Sequence, residues 1–346
     1  MSAQRAGGIA WTDVTWNPVR GCARVSEGCR NCYAERMAAR FCGPGQPYEG
    51  LAHRVAGEAR WTGQVRLVPE KLGEPLRWRR PRKVFVNSMS DLFHESLSDV
   101  QIASVFGVMA AASRHTFQVL TKRPGRMLAW AAWAAQQGEE LLASVGEPPP
   151  SGSPVGGALA VLTGEDALGR CGFATACHAS WPLPNVWLGV SVEDQRTADE
   201  RIPLLLQTPA AVRWVSYEPA LGPVFFGMWL LGTHRPCHGC TPDGAFCGGH
   251  YVGPALDWVV VGGESGSRAR VFDLAWASSV VDECRAARVP VFVKQLGARP
   301  ITSVTGEFRT HRGNRQVAFR GPKLASPSGS DPEEWPKRLR VREWPR

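Results

Sequence analysis

Short apolar runs, each closed by polar or ionisable residues, alternate along this chain with stretches of helical period. Lys83-Val84-Phe85-Val86-Asn87 runs into Ser88-Met89-Ser90-Asp91, and Asp99 to Ala112 then places Val100, Ala103, Val105, Phe106 and Met109 at helical spacing. Thr116 to Leu120 ends in Thr121-Lys122-Arg123-Pro124, ahead of a helix over Met127 to Ala135. Val186 to Val190 leads to Ser191-Val192-Glu193-Asp194 and a helix from about Thr197 to Leu206. Val212 to Ser216 ends in Tyr217-Glu218-Pro219, and Asp257 to Val261 runs into Gly262-Gly263-Glu264-Ser265-Gly266. Asp273 caps a helix to about Ala287, and Pro290 to Val293 closes in Lys294-Gln295. The segment before Cys22 supplies a seventh strand.

Near-continuous apolar strands separated by helices predict a parallel sheet buried on both faces. Right-handed β/α units curl into a partial or complete (β/α) barrel. A doubly wound open sheet carries the same periodicity. The polar strand ends favour the barrel, whose C-terminal mouth would gather Asn87, Ser88, Ser90, Asp91, Lys122, Arg123, Glu193, Glu218, Glu264, Ser265, Lys294 and Gln295. One barrel-like domain over 1–346 is expected, interrupted by a partly disordered insertion at 136–184 and a Gly-, Cys- and His-rich insertion at 228–256. Residues 43–70 show no sustained period, and 297–346 read as a basic extension with little regular pattern.

The cysteines change this picture. No apolar run approaches the roughly 18 residues of a membrane span, and the first residues lack the apolar core of a signal peptide. The expectation is a cytoplasmic protein with no membrane partner, where close-set cysteines point to metal or redox chemistry. Cys22, Cys29 and Cys32 lie in the spacing C-x6-C-x2-C, just before a helix over Tyr33 to Phe41. Such a pocket is expected to be electropositive and to favour thiolates. A structural zinc takes four protein ligands. A [4Fe–4S] cluster held by three cysteines keeps one iron open for chemistry. Cys237, Cys240, Cys247 and His250 form a second set, C-x2-C-x6-C-x2-H, at zinc-knuckle spacing. Cys171, Cys177 and His178 are candidates for a further ligand or site, whereas Cys42 and Cys284 read as isolated thiols. Trp187, Trp214 and Trp258 lie at strand positions and read as core. A net charge of +9 raises the expectation of a polyanionic partner, DNA or RNA. The run LRWRRPRK at 76–83 sets arginines around Trp78, the composition of a phosphate-binding and base-stacking surface.

Trp11-Thr12, Thr15-Trp16-Asn17-Pro18, Gly21-Cys22, Cys29, Cys32-Tyr33-Ala34-Glu35, Val190 to Glu193, Glu218-Pro219, Val261 to Gly266 and Asp331 to Pro336 together resemble the phage-associated three-cysteine-motif proteins. That family, of poorly known function, is itself similar to radical S-adenosylmethionine enzymes, with spore photoproduct lyase a suggested relative. The resemblance implies a [4Fe–4S] cluster on Cys22, Cys29 and Cys32. It further implies S-adenosylmethionine on the open iron, reductive cleavage to a 5′-deoxyadenosyl radical, and an electron donor such as flavodoxin or ferredoxin. Cofactor contacts would fall to Tyr33, Asn87, Ser88, Ser90, Asp91, Glu193 and Glu218, and substrate or catalytic contacts to Lys122, Arg123, Glu264, Ser265, Lys294 and Gln295. Tyr33, Tyr217 and Cys284 are candidate hydrogen donors. The first gap is six residues where that superfamily has three, and Asn31 stands where it has an aromatic. Gly262-Gly263-Glu264 also comes several strands later than the usual methionine clamp. The expected activity is modification or repair of a nucleic acid or nucleotide. Two other readings remain open: a zinc-stabilised nucleic-acid-binding protein without catalysis, and a radical enzyme for a small metabolite or peptide.

Overall fold

A computed structural model describes residues 9–145, 180–234, 251–309, 315–322 and 324–345. Its main sheet has seven parallel strands: β1 (Val14–Trp16), β2 (Lys83–Val86), β3 (Thr116–Thr121), β4 (Val186–Val192), β5 (Val212–Tyr217), β6 (Trp258–Gly262) and β7 (Val291–Gln295). They follow one another across the sheet in chain order. A doubly wound sheet reverses its order at a switch point. This one never does, which is the strand order of a (β/α) barrel with seven strands in place of eight. All seven residues of β4 and all five of β6 are buried, as the unbroken apolar runs require of a sheet covered on both faces. Trp214 and Trp258 are fully buried, with ring centroids 5.3 Å apart, and Trp187 is buried as well.

Among the described residues five helices of six residues or more lie in the connections: α1 (Tyr33–Ala38), α2 (Asp99–Ala111), α3 (Pro124–Val145), α4 (Gln195–Gln207) and α5 (Leu274–Ala287). Ser98 and Gln101 close a reciprocal capping box on α2, and the Asp273 carboxylate accepts the Ala275 amide at 2.9 Å to start α5. The chain packs as two compact units, one of residues 1–190 and 203–213, the other of 191–202 and 214–346.

Several segments carry more structure than their periodicity predicts. Within 43–70 the strands Ala52–Val55 and Glu58–Trp61 form a hairpin, and Arg66–Leu67 pairs with Val19–Arg20. The α3 helix continues to Val145, into the stretch read as a loop insertion. In the tail, Pro300–Arg309 pairs antiparallel with Arg315–Arg320. The last residues then cover the free edge of β7. Val293 N donates to Val341 O at 2.9 Å and Glu343 N to Val291 O at 3.0 Å, so no long unpaired strand edge is left there. The four expected zinc ligands and Cys171, Cys177 and His178 lie outside the described residues. Among the described residues no helix is long and apolar enough to cross a membrane.

His115, buried just before β3, is expected to give the first unit a pH dependence. Its Nε2 lies 3.1 Å from the Pro75 carbonyl, which only accepts, so that nitrogen carries the proton. Nδ1 has no partner, and protonating it would bury an unpaired charge. Burial pushes its pKa below the ordinary imidazole value, and Arg114 and Arg82 push the same way against the Pro75 hydrogen bond. A depressed histidine contributes stability above the unfolded pKa of about 6.5. That contribution is lost as pH falls toward the folded pKa. The urea midpoint is therefore expected to fall between pH 7.5 and 5.5, and His115→Gln to flatten the decline. An equal decline in the variant would assign it to other groups.

Candidate functional site

The loop after β1 is built around a glycine. Gly21 has φ +92°, and a Cβ there would meet the Gln64 carbonyl oxygen at 2.1 Å, so no other residue fits. Gly21 forms a parallel bridge with Ser90, beyond the end of β2. Four more bonds join the two segments. Asn17 Oδ1 accepts from Ser88 Oγ and Met89 N, both at 3.1 Å, Ser90 Oγ donates to Val19 O at 3.0 Å, and Val19 N donates to Asn87 Oδ1 at 3.3 Å. The polar residues after β2 thus hold the floor from which the cysteine loop rises.

Cys22 follows at once, Cys29 ends a single 3-10 turn, and Cys32 caps α1. Cys29 N donates to Ser26 O at 3.0 Å and Cys32 N to Cys29 O at 3.2 Å, which keeps the loop compact. Glu35, 2% exposed, ties this loop to its surroundings. Its carboxylate accepts Arg24 Nε at 3.1 and 3.2 Å, bonds the same guanidinium through Nη2, and takes the Trp61 amide at 2.9 Å. Arg24 lies between the first two cysteines and Trp61 in the hairpin, so one buried carboxylate fixes both. Behind α1, Cys32 packs with Cys42, Tyr48 and Trp61 on a cluster of Ala34, Ala38, Ala39, Ala52 and Met89.

Cys22 and Cys32 are held toward the protonated thiol, contrary to the expectation from the helix start that thiolates would be favoured. Burial pushes Cys22 up to about 12, with Asp91, Cys32 and Cys29 adding to the rise and Arg123 opposing it. Burial also raises Cys32, against the Glu35 and Ala34 amides, which lower it. A six-residue helix supplies two amides to a sulfur, and desolvation outweighs them. Thiols in this setting give up protons as a cation arrives.

Asp91 organises the other side. Oδ1 accepts Phe93 N at 3.0 Å and Thr121 Oγ1 at 2.7 Å, while Oδ2 accepts Lys122 N and Arg123 Nη1, each at 3.1 Å. Arg123 continues to Glu95 at 2.9 Å and to the Ala23 carbonyl, next to Cys22, at 3.2 Å. Burial lowers the Arg123 pKa, but Asp91, Cys22 and Glu95 more than offset it and carry it above its ordinary value. Both Lys122, through its amide, and Arg123 therefore serve this network. Two buried polar atoms in the same region have no partner, Asn87 Nδ2 and His94 Nε2. Asn87 sits in the left-handed region at φ +61°, which aims its amide from the end of β2.

The second unit holds the remaining candidates. Lys294 Nζ bonds Glu218 Oε1 at 2.5 Å, and Ser191 Oγ donates to the Glu218 carbonyl at 3.1 Å. Gln295 Nε2 donates to Gly263 O at 2.8 Å. Glu264 is clamped by Arg270, through the backbone amide at 2.9 Å and Nη2 at 2.6 Å, while Ser265 is exposed. Glu193 is 1% exposed and bonds Arg201. Among the candidate hydrogen donors, Tyr217 is buried with its hydroxyl on the Gly222 carbonyl, and Cys284 is buried within α5. Tyr33 is 52% exposed on the cysteine loop, with its hydroxyl 3.0 Å from the Ser88 carbonyl.

The donor set can be tested against the group it is expected to hold. Among the described residues, no three His, Cys, Asp or Glu side chains are grouped to hold a metal ion. Ligands of one zinc lie about 2.3 Å from it and so crowd together. A single-ion site is not preformed here. Three soft sulfurs that feel one another's charge, on a short loop, match by donor type a cluster in which each thiolate takes its own iron. The sequence reading missed Asn17, Arg24, Glu35 and Glu95 as the residues that position this loop. The Asn17 and Glu35 motif positions were visible, but their partners lie far along the chain. No curated protein and no solved structure matches the chain. What does match is a family model running from residue 6 to residue 320, through the cysteine loop and all seven strands: the chain belongs to the family of proteins of unknown function DUF5131.

Proposed function

We propose that this protein is an iron–sulfur enzyme of the radical S-adenosylmethionine kind that modifies or repairs a nucleic acid or nucleotide. One observation carries the reading. The loop bearing Cys22, Cys29 and Cys32 follows the first strand of a parallel sheet in barrel order and is bonded to the residues that follow the second. Chemistry on parallel barrels is found at the C-terminal strand ends, which supports reading this loop as a catalytic element. When bound, a [4Fe–4S] cluster with S-adenosylmethionine supplies an electron and a carbon radical source.

The chain's own residues do the positioning. Cys22, Cys29 and Cys32 offer the three thiolates, and Gly21, Glu35 and the Asp91–Arg123 pair fix the loop's path. Asn87 Nδ2 is a buried donor left for a bound molecule. The Glu218–Lys294 pair presents both charges of a zwitterion site within its own unit. The net charge of +9 favours a polyanionic substrate over a neutral metabolite.

Anaerobic purification tests the proposal. The expected protein is brown, with visible charge-transfer absorbance and near-equal iron and sulfide. After reduction it should release 5′-deoxyadenosine from S-adenosylmethionine. Cys22→Ser, Cys29→Ser and Cys32→Ser should each lose the absorbance. A colourless protein carrying only zinc would overturn the reading in favour of the zinc-stabilised nucleic-acid-binding protein. A brown protein that never cleaves S-adenosylmethionine would remove the radical step and leave the cluster.

A further inference from the structure

The arginine run between the Glu74–Arg77 turn of helix and β2 lies at the opposite end of the strands from the cysteine loop. Arg77, Arg79, Arg80 and Arg82 are all exposed. Among the described residues none of the four pairs with a carboxylate, and the adjacent acid, Glu74, is taken by Lys71 at 2.6 Å. Most exposed arginines elsewhere in this unit have an acid or a carbonyl within reach, as Arg24, Arg66 and Arg114 do. Four neighbouring positive charges without an acid among the described residues repel one another, and only Arg82, over the Trp78 ring, has a packing contact to set against that cost.

The segment is also held in place. Arg114 donates to the Trp78 and Leu76 carbonyls, each at 2.7 Å, which fixes the backbone between Leu76 and Trp78. Trp78 packs edge-on against buried His115 at 5.6 Å, and the Arg82 guanidinium lies over its ring at 5.4 Å. An ordered loop loses less entropy on binding than a mobile one. Arginine's planar fork is the side chain suited to phosphate oxygens.

We infer that Arg77, Arg79, Arg80 and Arg82 form a nucleic-acid backbone-binding surface, separate from the cysteine loop. A nucleic acid is favoured over an anionic membrane because the patch sets arginines around a tryptophan, with no exposed large hydrophobic side chain for insertion among them. The surface reads phosphate, not sequence, so it would hold the polymer while another part of the chain acts on it or marks it. It stands whatever the cysteine loop binds.

The test is fluorescence anisotropy with a fluorescein-labelled DNA duplex and the matching single strand, titrated with the full chain at several salt concentrations. Each phosphate contact contributes about 0.9 to the log–log salt slope for a duplex and about 0.7 for a single strand. Arg79→Glu/Arg80→Glu is expected to weaken binding at low salt by about tenfold or more and to reduce the duplex slope by about 1.8. Arg80→Gln alone should reduce it by about 0.9. Arg285→Glu, at an exposed position on α5, should change neither. In the Arg79 and Arg80 variants circular dichroism and the unfolding midpoint should be unaltered, since neither side chain has a bonding partner among the described residues. Wild-type affinity and slope in the double variant would overturn the inference. So would vesicles containing phosphatidylserine that bind wild type but not the variant while DNA binding is unchanged. The readout needs no iron, so it fails or succeeds independently of the proposed chemistry.

Discussion

Arg123→Met is expected to lower stability by about 3 kcal/mol, the low end of the range for breaking a buried ion pair. Arg123 and Asp91 are 5% and 8% exposed, so neither charge is solvated when the other is removed. The loss stays near that lower bound because Asp91 keeps three donors, the Phe93 and Lys122 amides and the Thr121 hydroxyl. Asp91→Leu/Arg123→Met should recover part of the loss, since replacing both charges by apolar groups removes the desolvation problem. The same guanidinium holds the Ala23 carbonyl, so amide exchange over 22–32 should speed up in Arg123→Met beyond the rise expected from global destabilisation. Urea unfolding at constant slope measures the first effect and native-state exchange the second. A stability change below about 1 kcal/mol would mean that the pair is solvated and that the loop is anchored elsewhere.

That network marks the boundary of what sequence reading could reach. The seven strands were legible because a parallel sheet buried on both faces writes itself as unbroken apolar runs, as in β4 and β6. Their order was not, since periodicity is the same in a wound-back sheet and in a barrel. The hairpin Ala52–Val55 with Glu58–Trp61 escaped because its residues are mostly exposed or half-buried and so carry no alternation. The last strand addition, Val341 to Glu343 on β7, depends on a pairing with residues about fifty positions earlier. At the site, cysteine spacing picked out three thiols but not their state. Burial, mutual repulsion and Asp91 raise Cys22, and none of these can be read from three thiols near a helix start. Lys122 and Arg123 were read as substrate or catalytic contacts at their strand end. Arg123 goes to Asp91 and Glu95, and Glu218 goes to Lys294, because each strand end is satisfied by its near neighbours.

Arg201→Met is expected to cost about 3–5 kcal/mol, the largest single effect in the second unit. Arg201 is 7% exposed and Glu193 1%, and Arg201 Nη1 lies 3.2 and 3.3 Å from the two carboxylate oxygens and 2.6 Å from the Ser191 carbonyl. The pair ties the end of β4 to α4 eight residues on. Truncation leaves a buried carboxylate without its guanidinium and a carbonyl without this donor. Glu193→Gln then separates two roles for the acid. As an element of the fold, it should lose a substantial share of the Arg201→Met cost, and Glu193→Gln/Arg201→Met should cost less than the two changes added. As a cofactor contact, it should bind S-adenosylmethionine more weakly while its urea midpoint stays near that of the wild type. With both residues almost wholly buried and bonded to each other, stability is the quantity expected to move. An unchanged midpoint with weakened S-adenosylmethionine binding would instead make Glu193 part of the site.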